Sequence, residues 1–273
     1  MKKRRSLRED FPILIDRVYE LFRQRRFVED VMSKEVVMIN LEASMGEASR
    51  IMGAKRIGSL IVEAKGKPVG IVTERDLLSK VLAKGKDYEK VGIRDVMSSP
   101  LIKISPEVTI KEAARTMIAQ KSRLAVFREE TLVGIITAAD LIKSLPESPE
   151  TLMSVDDVMT KPVVMVPSNT SVEDVTKIMG EKRIGSVIII KRGKPFGIFT
   201  ERDLLTTFLT RGKSLKTKVG AAASSPLITI PVTSIHQVAL TMSLKHIRRL
   251  PVVANDKIVG IVTARDLVEA YAK

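Results

Sequence analysis

Gly70-Ile71-Val72-Thr73-Glu74-Arg75-Asp76 recurs as Gly134-Ile135-Ile136-Thr137-Ala138-Ala139-Asp140, as Gly197-Ile198-Phe199-Thr200-Glu201-Arg202-Asp203 and as Gly260-Ile261-Val262-Thr263-Ala264-Arg265-Asp266. The four aspartates lie 64, 63 and 63 residues apart, so one unit fills the chain four times over. The Gly-Ile-x-Thr part is β-rich and apolar. The Thr-x-x-Asp that follows is a capping signature for a helix start. Each copy therefore reads as a strand turning into a helix.

A second element recurs upstream. Ser44 and Glu47, Thr109 and Glu112, Ser171 and Asp174, and Ser234 and Gln237 stand three residues apart as capping boxes, and a methionine (Met52, Met117, Met179 or Met242) follows each cap by eight residues. Met at one fixed helical position reads as core filler. A β-rich run such as 59–62 or 186–190 comes next. A turn at Gly66-Lys67-Pro68 or Gly193-Lys194-Pro195 then leads into the Gly-Ile-x-Thr strand. A further strand, as at 36–39 or 163–166, precedes the first helix and is reached through Asp30-Val31-Met32-Ser33, Asp95-Val96-Met97-Ser98 or Asp157-Val158-Met159-Thr160. The unit is β-α-β-β-α, a mixed α/β design too small to cover both sheet faces alone, so units are expected to pair. Residues 51–86 match 178–213 at 23 of 36 positions, and the second and fourth units share another pattern around Leu124 and Leu250. A two-unit module, later duplicated, explains both. The expected organisation is a basic amphipathic helix at 1–27, a first pair at 28–147 (units 28–88 and 89–147) and a second pair at 148–273 (units 150–213 and 214–273). The linker is Leu145-Pro146-Glu147-Ser148-Pro149.

These motifs resemble the cystathionine-beta-synthase (CBS) domain family, in which a β-α-β-β-α unit opens on Asp-Val-Met-Ser/Thr and closes on Gly-Ile-x-Thr-x-x-Asp. The resemblance covers residues 28–273 and implies two tandem modules, often called Bateman modules. Each has two clefts between its paired units for adenosine-containing ligands. In unit number the chain resembles the regulatory gamma subunit of AMP-activated kinase, a likeness that transfers no kinase partner. One departure stands out: Ala221-Ala222-Ala223 replaces Asp-Val-Met in the fourth unit, although Ser224-Ser225-Pro226 still matches Ser98-Ser99-Pro100. That leaves the packing of this segment open.

Two readings of the Thr–Asp pairs (Thr73 and Asp76, Thr137 and Asp140, Thr200 and Asp203, Thr263 and Asp266) can coexist. In one they are helix caps complementing the helix dipole. In the other the carboxylate also accepts hydrogen bonds from ribose hydroxyls while Thr and the helix start face a phosphate. Cations before the second strand of each unit, namely Lys55, Arg56, Arg123, Lys182, Arg183, Arg248 and Arg249, are candidate phosphate ligands, with a solvated charged edge as the competing explanation. The resemblance places base recognition at the strand after the lead-in, on Ser33, Ser98, Thr160 and Ser224. Ile57, Ile184 and Ile247 are candidates to pack on the adenine or simply to join the core.

Composition narrows the function. With 46 Lys+Arg against 32 Asp+Glu, the net charge is +14, and 44% hydrophobic with 29% charged residues is a soluble, globular balance. Cysteine is absent, which excludes disulfides, thiol nucleophiles and Cys-bound metals, and His236 and His246 are too few for a histidine-rich metal centre. Neither histidine has an identifiable Ser nucleophile and orienting acid, and no glycine-rich phosphate loop occurs, so no enzyme, metal or cofactor is expected. No apolar run suits a signal peptide, and the uncharged stretch 219–244 holds two prolines and seven Ser or Thr, which argues against a membrane span. A cytoplasmic protein is expected. Three Asn and three Gln against abundant Lys, Arg and Glu suggest a thermophilic source.

Segment 1–26 has nine Lys or Arg and four acids, with Phe11, Leu14, Ile15, Val18 and Phe22 at helical spacing. It reads as a helix that docks on the first module or contacts a partner. The expected function is a non-catalytic sensor of AMP, ADP or ATP whose occupancy shifts module placement and the contact with a regulated protein. Homo-oligomers are expected from the family. The alternatives are nucleic-acid binding through the basic surface, against which stand 4% aromatics and no recognised nucleic-acid fold, and S-adenosylmethionine sensing, against which stands the arginine content.

Overall fold

The computed structural model describes residues 27–143 and 153–273, so the basic segment expected at 1–27 (Phe27 apart) and the linker at 145–149 lie outside the described residues. The first repeat runs β1 (Met38–Asn40), α1 (Met45–Lys55), β2 (Ser59–Ala64), β3 (Lys67–Thr73) and α2 (Glu74–Asp76). The second runs β4 (Lys103–Ile104), α3 (Ile110–Ala119), β5 (Leu124–Arg128), β6 (Thr131–Ile136) and α4 (Ala138–Ile142). The third runs β7 (Met165–Pro167), α5 (Val172–Glu181), β8 (Ser186–Lys191), β9 (Lys194–Thr200) and α6 (Glu201–Asp203). The fourth runs β10 (Ile230–Pro231), α7 (Ile235–Lys245), β11 (Arg249–Ala254), β12 (Lys257–Thr263) and α8 (Ala264–Ala272). In every sheet the first strand lies parallel to the second and the second antiparallel to the third, which is the mixed β-α-β-β-α unit expected.

Local chemistry explains these boundaries. The side-chain oxygens of Ser44, Thr109, Ser171 and Ser234 accept from the backbone N–H of Glu47, Asp174 and their equivalents at 3.0–3.3 Å, fixing where α1, α3, α5 and α7 begin. Met52, Met117, Met179 and Met242 are all buried, as core filler requires. Three of the hairpins turn through two residues of positive φ, Lys65-Gly66, Arg192-Gly193 and Asn255-Asp256, whose twist suits the flanking strands. Pro68 and Pro195 then fall where the strand register shifts, a place that tolerates a missing N–H.

The described residues form two compact units. One takes in 27–35, 102–143, 153–161 and 229–273; the other takes in Val36–Leu101 and Pro162–Ile228. Each unit has its own core and draws on both halves of the chain. In the first, Leu124, Val126, Leu250 and Val252 from two sheets pack with Met117, Met242 and Leu267. In the second, Leu60, Val62, Val187 and Ile189 pack with Met52, Met179, Leu77 and Phe199. There α1 lies against the helix at 204–209, and α5 against 77–84. Gly53 and Gly180 allow that approach, since a Cβ would strike Thr210 on Gly53 and Ala83 on Gly180.

A lead-in segment does not stay with its own repeat. Ser33 bridges Ile135 of the second repeat and Ser98 bridges Ile71 of the first; Thr160 bridges Ile261 of the fourth and Ser224 bridges Ile198 of the third. Neighbouring repeats thus exchange lead-ins. Each bridge is a reciprocal pair of backbone hydrogen bonds at 2.8–3.1 Å. The side chains of Met32, Met97 and Met159 lie over Gly134, Gly70 and Gly260, where no Cβ could fit without displacing them. The fourth lead-in keeps its place without a methionine: Ala223 stands beside Gly197, and both Ser224–Ile198 bonds form, at 2.9 and 3.0 Å.

Candidate functional site

Each repeat ends in a corner where the Gly-Ile-x-Thr strand becomes a helix. Thr73, Thr137, Thr200 and Thr263 all occupy the N-cap with extended backbone. The backbone N–H and the hydroxyl of each threonine donate to Oδ2 of the aspartate three residues on, at 2.6–3.0 Å. The capping role is therefore present in all four. It uses one carboxylate oxygen. Oδ1 of Asp76 is 2.7 Å from Lys80 Nζ, that of Asp140 is 3.4 Å from Lys143 Nζ, and that of Asp203 accepts from Ser224 Oγ at 3.3 Å. Asp76 and Asp140 are buried, and Asp203 and Asp266 half-buried. Burial pushes Asp266 above the ordinary carboxylate range. The Thr263 hydroxyl and backbone N–H oppose that shift, Glu269 adds to it, and Arg265 opposes it.

The exchanged lead-ins bring Ser33, Ser98, Thr160 and Ser224 to these corners. Each meets the isoleucine two residues before the corner threonine of its neighbour: Ser33 goes with Thr137, Ser98 with Thr73, Thr160 with Thr263 and Ser224 with Thr200. All four are exposed. Ile57 and Ile184 pack against the core of one unit and Ile247 against that of the other. His236 lies in the first turn of α7, and His246 closes that helix in a left-handed conformation.

The seven candidate cations occupy two different places. Lys55, Arg56, Lys182 and Arg183 sit at the ends of α1 and α5, exposed, with Arg56 and Arg183 at φ 54° and 53°. Arg123, Arg248 and Arg249 lie further along, at the start of a strand, and are half-buried. Arg249 pairs directly with Thr263, and Arg123 stands one step beyond the paired Leu124 and Ile136, the last pair before Thr137. In the first and third repeats the residue opposite the threonine is serine, Ser59 or Ser186.

Two acidic residues that sequence reading passed over also belong to this region. Glu74 and Glu201 follow the corner threonines of the first and third repeats and are 7% and 6% exposed. Arg202 Nη2 lies 3.4 Å from Glu74 Oε1, and Arg75 Nε lies 3.5 Å from Glu201 Oε1, a reciprocal pair of contacts joining the two corners of that unit. The signal was present in the sequence, since Thr-Glu-Arg-Asp occurs in the first and third repeats and not in the others.

The fold and its corners define a protein of four β-α-β-β-α repeats, each with one capped, partly buried carboxylate beside a borrowed lead-in. This chain belongs to the CBS domain family, which matches it at residues 28–83, 93–147, 155–209 and 219–273. It is 33% identical over 122 residues, 44% of its length, to an uncharacterised protein of Methanopyrus kandleri, and spans 62% of that relative. To protein MJ1225 of Methanocaldococcus jannaschii it is 27% identical over 196 residues, 66% of this chain and 69% of the relative. The crystal structure of MJ1225, described as a candidate archaeal homologue of g-AMPK, matches with a TM-score of 0.73 at 20% identity, covering 90% of this chain and 99% of that one. An uncharacterised conserved protein of Pyrococcus horikoshii matches with a TM-score of 0.63 at 21% identity and the same coverage, 90% and 99%. At these identities the structural likenesses carry the fold. Among the described residues, no helix is long and apolar enough to cross a membrane.

Proposed function

We propose that the protein is a non-catalytic sensor that binds an adenosine-containing ligand, AMP, ADP or ATP, at its Thr–Asp corners, and that occupancy governs contact with a regulated protein partner. One observation carries this reading: each corner carboxylate satisfies its helix start through Oδ2 alone. Oδ1 remains as an acceptor able to exchange a lysine or serine for ligand hydroxyls. A ribose presents two adjacent hydroxyls, and an ionised carboxylate accepts from both. With their backbone groups held in the bridges, the exposed hydroxyls of Ser33, Ser98, Thr160 or Ser224 supply hydrogen-bonding groups for a base.

The test is calorimetric titration of the full chain with AMP, ATP, S-adenosylmethionine and single-stranded RNA at low and high salt. It is run on wild type and on a variant with Asp76, Asp140, Asp203 and Asp266 all changed to Asn. Asparagine keeps one oxygen for the cap and turns the second acceptor into a donor. Nucleotide binding is expected to weaken about ten-fold or more, the scale of one hydrogen bond to a charged group. Nucleotide affinity equal to wild type would reduce the aspartates to caps. RNA binding that falls steeply with salt and ignores the substitutions would favour the nucleic-acid reading. Preferential binding of S-adenosylmethionine would replace phosphate with a sulfonium ligand.

A further inference from the structure

The four corners divide into two chemical kinds, and the division follows the two compact units. In the unit containing the second and fourth repeats, an arginine stands across the hairpin from each corner threonine: Arg249 is paired with Thr263, and Arg123 is the residue next to the last strand pair, Leu124 with Ile136, beside Thr137. Directly opposed cross-strand residues project from the same face, with Cβ atoms about 4.5–5.5 Å apart. Arg248 is tied to the same corner, because its carbonyl accepts from the N–H of Ala264, 2.9 Å away. The residue after each threonine here is alanine, Ala138 or Ala264.

In the unit containing the first and third repeats, every one of these features changes. Gly58-Ser59 and Gly185-Ser186 replace the arginines, and the serines pair with Thr73 and Thr200. The residue after the threonine is the buried Glu74 or Glu201. The cations of these repeats, Lys55, Arg56, Lys182 and Arg183, are displaced to the exposed helix ends, three or four residues before the paired serine.

Charge then discriminates. A phosphate beside Thr263 or Thr137 would lie near a half-buried arginine residue, whose guanidinium could exchange its present partners for the phosphate oxygens. Beside Thr73 or Thr200 it meets a serine and a buried carboxylate already matched by one guanidinium. A further anion there adds to that carboxylate, and the lysine at the Thr73 corner, Lys80, is already engaged by Asp76.

We propose that the corners at Thr137–Asp140 and Thr263–Asp266 take a phosphorylated adenosine ligand, and that those at Thr73–Asp76 and Thr200–Asp203 take an adenosine compound without phosphate. The inference rests on the reading of the corners as adenosine sites. One chain then reports both the phosphorylated and the unphosphorylated pool.

Equilibrium dialysis of the full chain with labelled AMP and labelled adenosine tests this. In the wild type, excess AMP should leave a class of adenosine sites occupied. Changing Arg123, Arg248 and Arg249 together to Gln is expected to weaken AMP roughly 10-fold to 100-fold, the worth of a charged hydrogen bond, and to leave those adenosine sites unchanged. Changing Lys55, Arg56, Lys182 and Arg183 together to Gln should leave AMP affinity within about two-fold of wild type, since screened surface charges contribute little. Should the triple variant fail to fold, Arg249→Lys keeps the charge, loses the fork and should still weaken AMP measurably. AMP affinity that survives both arginine substitutions, or that is lost with the helix-end cations, overturns the inference and leaves the adenosine reading standing. Failure of the wild type to bind either ligand overturns both.

Discussion

Gly260→Ala is the most direct probe of how a corner is completed. A methyl group on Gly260 would overlap Met159 Sδ and lie 2.7 Å from its Cγ and 3.2 Å from its Cβ, with no other neighbour as close. The φ of Gly260 is not positive, so alanine adds no backbone strain. Forced overpacking costs about 1–3 kcal/mol. If the lead-in lifts away instead, the two bonds between Thr160 and Ile261, 2.8 and 3.1 Å long, go with it, at about 0.5–1.5 kcal/mol each. Both routes give about 2 kcal/mol. Met159→Ala alone should cost roughly 2–5 kcal/mol for the buried volume lost. In combination the two should fall short of additivity by about 1 kcal/mol or more, because the clash leaves with the thioether and a glycine–alanine contact already exists at Gly197 and Ala223. Urea denaturation gives the global values, and hydrogen exchange at the Thr160 and Ile261 amides gives the local one. A neutral Gly260→Ala, or strictly additive costs, would refute the idea that the lead-in is seated by that methionine.

Other outcomes follow from the same geometry. Since burial raises Asp266, the folded chain holds that proton to higher pH than the unfolded chain, and the associated stability is lost as pH rises through the raised value. Asp266→Asn should therefore gain stability relative to wild type between acid and neutral pH in paired denaturation curves, and a flat difference would contradict the shift. A ligand whose hydroxyls need the ionised carboxylate should dissociate from this corner on acidification before an ordinary aspartate would protonate; the pH dependence of its affinity in Asp140→Asn, which isolates this corner within its unit, is the check. Thr109→Ala removes the hydroxyl that caps the Glu112 N–H while keeping the backbone N–H bond to the Glu112 carboxylate, and should cost about 1 kcal/mol in urea denaturation. A double-mutant cycle on Glu74→Ala and Arg202→Ala should return a coupling of roughly 1–2 kcal/mol, between exposed and buried pairs, and a value near zero would show the 3.4 Å contact to be idle.

The repeat, its element order and the four Thr–Asp caps were legible because each rests on local chemistry: a cap three residues from its partner, a methionine at one helical position, a two-residue turn. The exchange of lead-ins was not legible, because a segment such as 30–33 carries the same residues whichever sheet receives it. The cations illustrate a different limit. Lys55-Arg56 and Arg248-Arg249 both precede apolar β-rich runs, yet the residue opposite Thr73 is Ser59 whereas the one opposite Thr263 is Arg249. Only the hairpin register separates a helix-end cation from one beside the corner. The similarity of 51–86 to 178–213 suggested duplication alone. Gly53 facing Thr210 and Gly180 facing Ala83 add a physical reason, since those two stretches pack on each other and must stay mutually compatible.

Because adjoining repeats trade their lead-ins, the chain has no self-sufficient quarter. A fragment cut at the boundaries of one repeat would carry away a lead-in its neighbour depends on and lack the one its own corner uses. A single repeat is therefore not a portable piece, and since each core also draws on both halves of the chain, a cut between the second and third repeats would divide both cores.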